Sequence, residues 1–186
     1  MNRWLALVIA ATALLITLYF INPFGTATTD PRARLFGVTT YRVASSSMAP
    51  TLLRGELVLV SSSAYMSRRP ALGDIIVFRY PQDRNVVYLQ RVAARAGDRL
   101  AIRSGVVYVN DQPRDEPYLD APALKFEYSR TLDEFTVPDG HLFVLGDNRD
   151  NARDGRFWGF VPDDDVVGKV THIWLSENPE RIGSVR

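Results

Sequence analysis

The sequence predicts a mainly β domain carried on one N-terminal transmembrane helix, and two patterns support this. One is a continuous apolar run from Trp4 to Ile21, which has about the length that an α-helix needs to cross a bilayer. The other is a series of short runs rich in Val, Ile, Tyr and Phe in the rest of the chain, with Gly or Pro at most of the boundaries. This spacing is typical of an all-β domain, and helical periodicity is nearly absent after the apolar run.

Composition excludes several function classes. The 186 residues suffice for one compact domain after the N-terminal segment, and 46% of them are apolar. Lys and Arg total 22 against 21 Asp and Glu, so no nucleic-acid partner is predicted. The absence of cysteine excludes disulfides, thiolate catalysis and cysteine zinc sites. No His, Asp or Glu cluster has ligand spacing, so neither a metal nor another cofactor is predicted.

Residues 1–22 are predicted to be a membrane anchor. A cleaved signal peptide would have a shorter apolar core, and the TATTD that follows at 26–30 is only a weak cleavage site. A buried core helix is disfavoured because only two threonines interrupt the apolar run. Residues 23–35 contain Pro, Gly and Thr and are predicted to be a short linker. Arginines flank the anchor on both sides, so the positive-inside rule gives no orientation.

Residues 36–186 are predicted to form the β domain. The predicted strands are 36–43, 56–60, 74–80, 86–92, 99–103, 106–109, 125–128, 141–145 and 166–175. A hairpin is expected over 102–113, turning near Ser104-Gly105, with Asn110-Asp111 in the next turn. The segment at about 111–133 has irregular charge and three prolines, and we expect it to be an insertion beside the main sheet.

The stretch from Tyr41 to Leu53, YRVASSSMAPTLL, is the strongest candidate for a reactive site. A β-branched lead-in breaks into Ser45-Ser46-Ser47 and is followed by Met48 and Pro50. A hydroxyl at the point where a strand ends can be held and exposed as a nucleophile. The simpler interpretation is a polar loop closed by proline.

Two later stretches favour the reactive site over the polar loop. They are GDIIVFRYP (Gly73 to Pro81) and GDNRDNARDGRFWGFVP (Gly146 to Pro162). In this order and spacing, the three stretches resemble the type I signal peptidases over nearly the whole chain. The resemblance implies a coiled antiparallel β-sheet core with a small β insertion. It also implies a single-pass serine endopeptidase of the bacterial plasma membrane, with its catalytic domain on the outer side. The implied partners are membrane lipid and signal peptides of secretory precursors, cut after small residues (Ala-X-Ala).

The resemblance assigns the site residue by residue. Ser47 matches the nucleophile, and its backbone N–H with the Ser45 hydroxyl matches the oxyanion donors. Ser46 fills a variable position and receives no role. The substrate-binding walls correspond to Val43, Met48 and Leu52 on one side and to Tyr88 and Leu89 on the other. For each apolar residue taken alone, core packing is the alternative. The expected ion-paired scaffold under the site consists of Asp147, Arg149, Asp154 and Arg156.

The sequence departs from the family pattern at the general base. The family has a lysine in a Tyr-X-Lys-Arg-Val run, and here the run is Tyr88-Leu89-Gln90-Arg91-Val92. A glutamine amide is not a base near neutral pH. The family serine that orients the lysine is replaced by Ala152. These two exchanges fit natural loss of the lysine, or a different base, better than an engineered knock-out.

The possible substitute bases are few. Lys125 and Lys169 are the only lysines and neither matches the family position, and His141 and His172 are expected to be structural. Three function classes therefore stand beside one another. They are an impaired signal peptidase, an inactive homologue that binds or traps exported peptides, and a soluble self-cleaving repressor. The repressor class is disfavoured by the membrane span and by the lack of a recognition helix.

Overall fold

The computed structural model describes residues 3–119 and 123–185. Helix α1 (Arg3–Ile21) contains no buried residue. With a mean hydropathy of 2.4, it is long and apolar enough to cross a membrane. Helix α2 (Pro31–Phe36) lies within the predicted linker and extends one residue past it. It begins after Asp30, whose side chain accepts the Arg32 N–H, and ends at Gly37 in the left-handed conformation.

The remaining elements are mostly strands. In chain order they are β1 (Val38–Arg42), β2 (Leu57–Ser61), β3 (Ile75–Tyr80), β4 (Asp83–Arg95), β5 (Arg99–Arg103), β6 (Val106–Val109), β7 (Gln112–Pro113), α3 (Glu127–Arg130), β8 (Leu132–Thr136), β9 (His141–Leu145), α4 (Gly155–Trp158), β10 (Val161–Pro162), β11 (Val166–Leu175) and β12 (Gly183–Ser184). The main sheet has the order β1-β2-β11-β3-β4-β9-β10, with β12 also paired to β11. A second sheet has the order β7-β6-β5-β8. All neighbouring strands are antiparallel, which confirms the predicted fold class.

The second sheet departs from the predicted strands at one position. The hairpin turn at Ser104-Gly105 is confirmed, since both residues have positive φ and Arg103 pairs with Val106. The strand predicted at 125–128 is wrong, because α3 begins there and the strand follows at β8. The reason is tertiary. The backbone N–H groups of Lys125 and Phe126 bond to the carboxylate of Asp150 instead of to a neighbouring strand. This sheet occupies 99–136, a wider range than the expected insertion.

The linker region packs on the β domain. The Thr26 hydroxyl is buried and donates to the carbonyl of Val167 at 2.7 Å. The Ala27 N–H donates to the carbonyl of Val166 at 3.2 Å. Near the end of α1, the guanidinium of Arg34 lies 5.0 Å from the centre of the Tyr19 ring. The two hydrogen bonds fix the chain between the apolar helix and the first strand to β11, and the Arg34 contact joins it to α1.

Two open strand edges of the main sheet shape the site. Strand β1 pairs only with β2, so its other edge is open. Strand β4 pairs with β3 along most of its length, but β9 joins it only from Arg91 onward. Residues 86–90 of β4 therefore have one open edge within the described part of the chain. Such edges present backbone N–H and C=O groups that can pair with another extended chain.

Candidate active site

A groove of about 380 Å³ lies between the two open edges. One wall comes from the end of β1 and the serines that follow it, and the other from β4. Asn151 and Arg153, from the segment after β9, also contribute. The lining residues are Tyr41, Arg42, Val43, Ala44, Ser45, Ser47, Met48, Val77, Val86, Val87, Tyr88, Leu89, Gln90, Asn151 and Arg153.

Burial of the residues after Ser47 holds that serine at the groove. Met48 and Leu52 are 1% and 0% exposed and belong to one apolar cluster with Val43. The Leu52 N–H donates to the Met48 carbonyl at 2.8 Å. Val43 N–H in turn donates to the carbonyl of Glu56 at 2.8 Å. The residues before and after the serine turn (residues 45–47) are therefore fixed, while Ser47 itself remains partly exposed.

The segment 146–151 fixes the serine turn from the other side. The Asn148 N–H donates to the Ser47 carbonyl at 3.0 Å, and the Asn148 side chain donates to the Ser46 carbonyl at 3.1 Å. The Asn151 amide donates to the Ser46 hydroxyl at 2.8 Å. Ser46, to which the sequence assigned no role, is thus a point of attachment. Sequence reasoning also missed both asparagines, although they lie inside the GDNRDN stretch.

Gly146 permits this contact because it has no side chain. A Cβ atom at this position would lie 2.7 Å from the Ser47 carbonyl oxygen and would overlap the Cβ of Ala152. Its backbone groups are also bound. The N–H donates to Asp154 at 2.9 Å, and the carbonyl accepts from the Arg149 Nε at 3.1 Å. Two members of the expected scaffold, Asp154 and Arg149, therefore hold the segment that lies against Ser47.

The scaffold consists of buried, hydrogen-bonded ion pairs. Arg91 binds Asp147 through two bonds of 2.8 and 2.6 Å. Arg156 binds Asp154 through two bonds of 2.8 Å. Burial alone lowers the pKa of Arg91, but the hydrogen bonds and charge of Asp147 outweigh it and hold that pKa above its ordinary value. Arg149 pairs with Glu116 of the segment after β7. Each carboxylate of these pairs therefore has a cationic partner.

The hydroxyl of Ser47 has one side-chain partner. Its Oγ lies 3.0 Å from the Oγ of Ser45, and either oxygen can donate. The Ser47 N–H also lies 3.4 Å from the Ser45 Oγ. The donors that the resemblance assigned to the oxyanion are thus adjacent. Within residues 3–119 and 123–185, no basic side chain forms a hydrogen bond with the Ser47 hydroxyl.

Gln90 lies buried in the wall of this groove, with 2% of its surface exposed. Its Nε2 donates to the carbonyl of Arg153 at 3.0 Å. Its Oε1 is enclosed and has no hydrogen-bond partner among the described residues, a situation that typically costs about 1–3 kcal/mol. A glutamine in this setting can hold or accept a hydrogen bond, but it cannot remove a proton from serine.

The other candidate bases are engaged elsewhere. Lys169 shares a row across the sheet with Gln90, since Ile76 pairs with both. The two are therefore two strand spacings apart, about 10 Å. The Lys169 ammonium is paired with Asp74. His141 contacts the carbonyl of Asp139, and His172 contacts the hydroxyl of Ser184. None of these three residues, nor Lys125, lines the groove.

The remaining site residues divide between groove and core. Val43, Met48, Tyr88 and Leu89 line the groove, but Leu52 is wholly buried in the apolar core and does not. The sequence did not single out a further group of lining residues, namely Tyr41, Arg42, Val77, Val86, Val87 and Arg153. The residue types along β1, β3 and β4 indicate strands, but they do not show that two distant strand edges face each other.

Comparisons with known proteins show which sequences and structures this chain is similar to. A family model described as signal peptidase, peptidase S26, matches residues 1–175. A probable signal peptidase I-1 of Synechocystis sp. is 36% identical over 73% of this chain and 70% of that protein. Signal peptidase I of Bacillus caldolyticus is 39% identical over 74% of this chain and 79% of that protein. A crystal structure of a signal peptidase I from Enterococcus faecalis matches 56% of this chain and 98% of that one, with 30% identity and a TM-score of 0.48.

The ion pair of Lys169 generates a prediction about pH and stability. Burial raises the pKa of Asp74, but the hydrogen bond and charge of Lys169 outweigh it, so the pKa lies below its ordinary value. A depressed carboxyl pKa stabilises the fold above the unfolded pKa, and this stability is lost as the pH falls through the folded pKa. Lys169→Met should therefore destabilise the full chain at pH 7 by about 1–3 kcal/mol, since the pair is partly exposed. The difference should shrink below about pH 4.

Thermal unfolding in detergent, followed by near-ultraviolet circular dichroism across this pH range, measures the effect. Lys125→Met, at the chain's other lysine, is the matched control. A difference in Tm that stays constant down to pH 3 would show that Asp74 does not depend on Lys169.

Proposed function

Since the chain belongs to the peptidase S26 family of signal peptidases, we propose that its groove binds the signal peptides of exported proteins beside Ser47. We propose further that Gln90, at the position of the family lysine by resemblance, limits cleavage. The observation that carries this proposal is that one groove is lined by Ser47, whose backbone is fixed, and by Gln90, whose amide is buried. Ser47 has an oxyanion-type neighbour in Ser45 but no described base, and Gln90 cannot take its proton.

The open strand edges support peptide binding. An extended peptide can add to the edge of β1, to the edge of β4, or to both, through backbone hydrogen bonds. Side chains of such a peptide alternate in direction, so every second one points toward the groove walls. Val43, Met48 and Leu89 supply apolar surface there. By resemblance to the family, we expect these apolar walls to accept small side chains such as alanine.

The chemistry explains why cleavage should be slow. Attack of the Ser47 oxygen on the peptide carbonyl forms a C–O bond, and the hydroxyl proton must leave the oxygen as the bond forms. The same proton is then needed by the departing amine. In the described structure only Ser45 contacts that hydroxyl, and another hydroxyl is too weak a base. Oxyanion donors and positioning alone would supply the remaining rate.

A second candidate function is peptide binding without turnover, and one observation favours it. The unpartnered Oε1 of Gln90 is an acceptor in the wall of the groove. A bound peptide that displaced a neighbouring side chain could satisfy it with a backbone N–H. Binding would then remove a buried unsatisfied group, which is favourable. The chain would retain peptides instead of releasing products.

We also propose that the β domain lies on the outer side of the plasma membrane and touches lipid directly. Trp174 and Ile182 are exposed and lie opposite each other, since the neighbouring Ile173 pairs with Gly183. Exposed Leu175 lies in one row with Leu57 and Arg42, because β2 pairs with both β11 and β1. This apolar end of β11 therefore lies at the same end of the sheet as the groove, where a peptide emerging from a bilayer would arrive.

The first prediction concerns recognition. The full chain in detergent should bind an extended peptide containing Ala-X-Ala. Replacing both alanines by Phe should abolish binding, because we expect the groove to accept only small side chains at these positions. Isothermal titration calorimetry measures both peptides. Equal affinity for the two would contradict the proposed groove.

The second prediction concerns turnover. The unaltered chain should cleave a secretory precursor about 10²- to 10⁴-fold more slowly than a form with a working base. Gln90→Lys should restore part of this rate. Gln90→Lys combined with Ala152→Ser should restore more, because Ala152 supplies no hydroxyl to orient the new amine. Cleavage by all four combinations in detergent tests this, with Ser47→Ala as the blank. Fast cleavage by the unaltered chain that Ser47→Ala abolishes would reveal another base.

The third prediction concerns lipid. A domain lacking residues 1–22 should still float with liposomes, and Trp174→Ser with Ile182→Ser should reduce that fraction, because the change removes exposed apolar surface. Val86→Ser with Val87→Ser, an exposed apolar pair in the groove wall, is the comparison. If the truncated domain stays in the aqueous fraction without these changes, the lipid contact of the β domain is disproved.

A further inference from the structure

The charged side chains that line the groove are both positive. Arg42 and Arg153 contribute to its walls, and no Asp or Glu does so in the described part of the chain. This differs from the scaffold beneath, where each of Arg91, Arg149 and Arg156 is paired with a carboxylate. The positive charges of the buried arginines are thus balanced by carboxylates, whereas those of the two groove arginines are not balanced by any carboxylate of the described residues.

Arg153 lies beside the reacting end of the groove. Its carbonyl accepts the Nε2 of Gln90 at 3.0 Å and the indole N–H of Trp158 at 3.3 Å, so its backbone is held in place. Its side chain is exposed, and its guanidinium forms no hydrogen bond or ion pair with a residue in 3–119 or 123–185. A guanidinium carries five N–H donors in a planar fork suited to carboxylates. This donor set is therefore available to a bound peptide.

Arg42 lies at the last position of β1, next to the groove-lining Val43. One of its terminal nitrogens donates to the carbonyl of Gly55 at 2.7 Å, which orients the side chain. No carboxylate of the described residues lies within ion-pair distance of it. Its positive charge therefore acts on a peptide that runs along the open edge of β1, whereas Arg153 lies beside Gln90.

Two uncompensated cations in a cleft raise the local positive potential. A peptide with an Asp or Glu near either arginine gains attraction, and one with a Lys or Arg there is repelled. Since both guanidinium groups are exposed, each contact is worth about as much as a surface ion pair, which corresponds to about a two- to fivefold change in affinity. A preference of this size is enough to select among otherwise similar peptides, because acidic residues are attracted and basic residues are repelled.

We propose that Arg42 and Arg153 make this groove select exported peptides that carry an acidic residue beside the small residues recognised at Ser47. The same pair of arginines rejects peptides with a basic residue there. This inference rests on the proposed function and deepens it, because it names a class of substrate. Arg153 favours an acidic over a basic peptide residue next to the bond held at Ser47. Arg42 does the same for the peptide residues that lie along β1.

The test uses the full chain in a non-ionic detergent and fluorescent peptides that share one Ala-X-Ala core. Asp, Asn or Lys is placed in turn at each position flanking the core, and every peptide has an amidated C-terminus so that no terminal carboxylate adds charge. Fluorescence anisotropy gives Kd for the unaltered chain and for Arg42→Gln, Arg153→Gln and the double variant. Arg103→Gln, at an exposed arginine of β5 in the second sheet, is the matched control for the loss of one charge.

The expected order of affinity is Asp, then Asn, then Lys, with about two- to fivefold between successive peptides at the sensitive positions. Each single variant should remove the preference at its own positions, the double variant should remove both, and Arg103→Gln should change neither. The preference should also weaken as salt is added, because exposed charges are screened. The ratio of the Asp, Asn and Lys affinities within each form is compared, because misfolding would weaken all three peptides together whereas a charge effect changes their ratio.

Other outcomes overturn the inference in distinguishable ways. Equal binding of the Asp, Asn and Lys peptides, while a Phe-containing core does not bind, would disprove charge selection and leave the proposed function intact. A preference for Asp that survives in the double variant would place its origin outside these two arginines. If no peptide binds in any form, the proposed function fails and the charge selection fails with it.

Discussion

The site depends on a close approach between two backbone segments that are far apart in sequence. Gly146 lies against the carbonyl of Ser47, and the Asn148 N–H bonds to that same carbonyl. No residue with a Cβ fits between the segments without displacing backbone. The buried pairs of Arg91 with Asp147 and Arg156 with Asp154 hold the second segment from below. Such pairs are costly to break singly, so they keep the second segment in place against Ser47.

The curvature and connectivity of the main sheet create the groove. Strand β4 pairs with β3 along most of its length but with β9 only from Arg91 onward, and this leaves one of its edges open between 86 and 90. Register shifts in β4 and β11 bend the sheet. The end of β1 therefore comes to face β4 although three strands separate them in the sheet order. An open edge is usually an aggregation risk, and here two such edges form the walls of one site.

Charge is distributed differently beneath the groove and along it. The arginines beneath are nearly inaccessible and bound to carboxylates, whereas those along the groove are exposed and meet no acidic side chain there. Gln90 lies at the boundary, buried like the scaffold but with an oxygen that no described residue satisfies. Natural structures rarely keep such groups without a purpose. The amide nitrogen of Gln90 is bound to the backbone carbonyl of Arg153, and both residues line the groove, so a bound peptide can contact both.

The sequence by itself determined the apolar helix, most of the strands, the hairpin at Ser104-Gly105 and the motifs around Ser47 and Gly146, because these follow from local periodicity, turn chemistry and resemblance. Only the tertiary structure decided the features that arise between distant segments. The backbone N–H groups of Lys125 and Phe126 bond to Asp150, so a helical turn replaces the expected strand. Leu52 enters the core because the turn around Met48 closes inward. Arg42 and Arg153 share a groove because the sheet curves, and no local pattern encodes which strand edges will face each other.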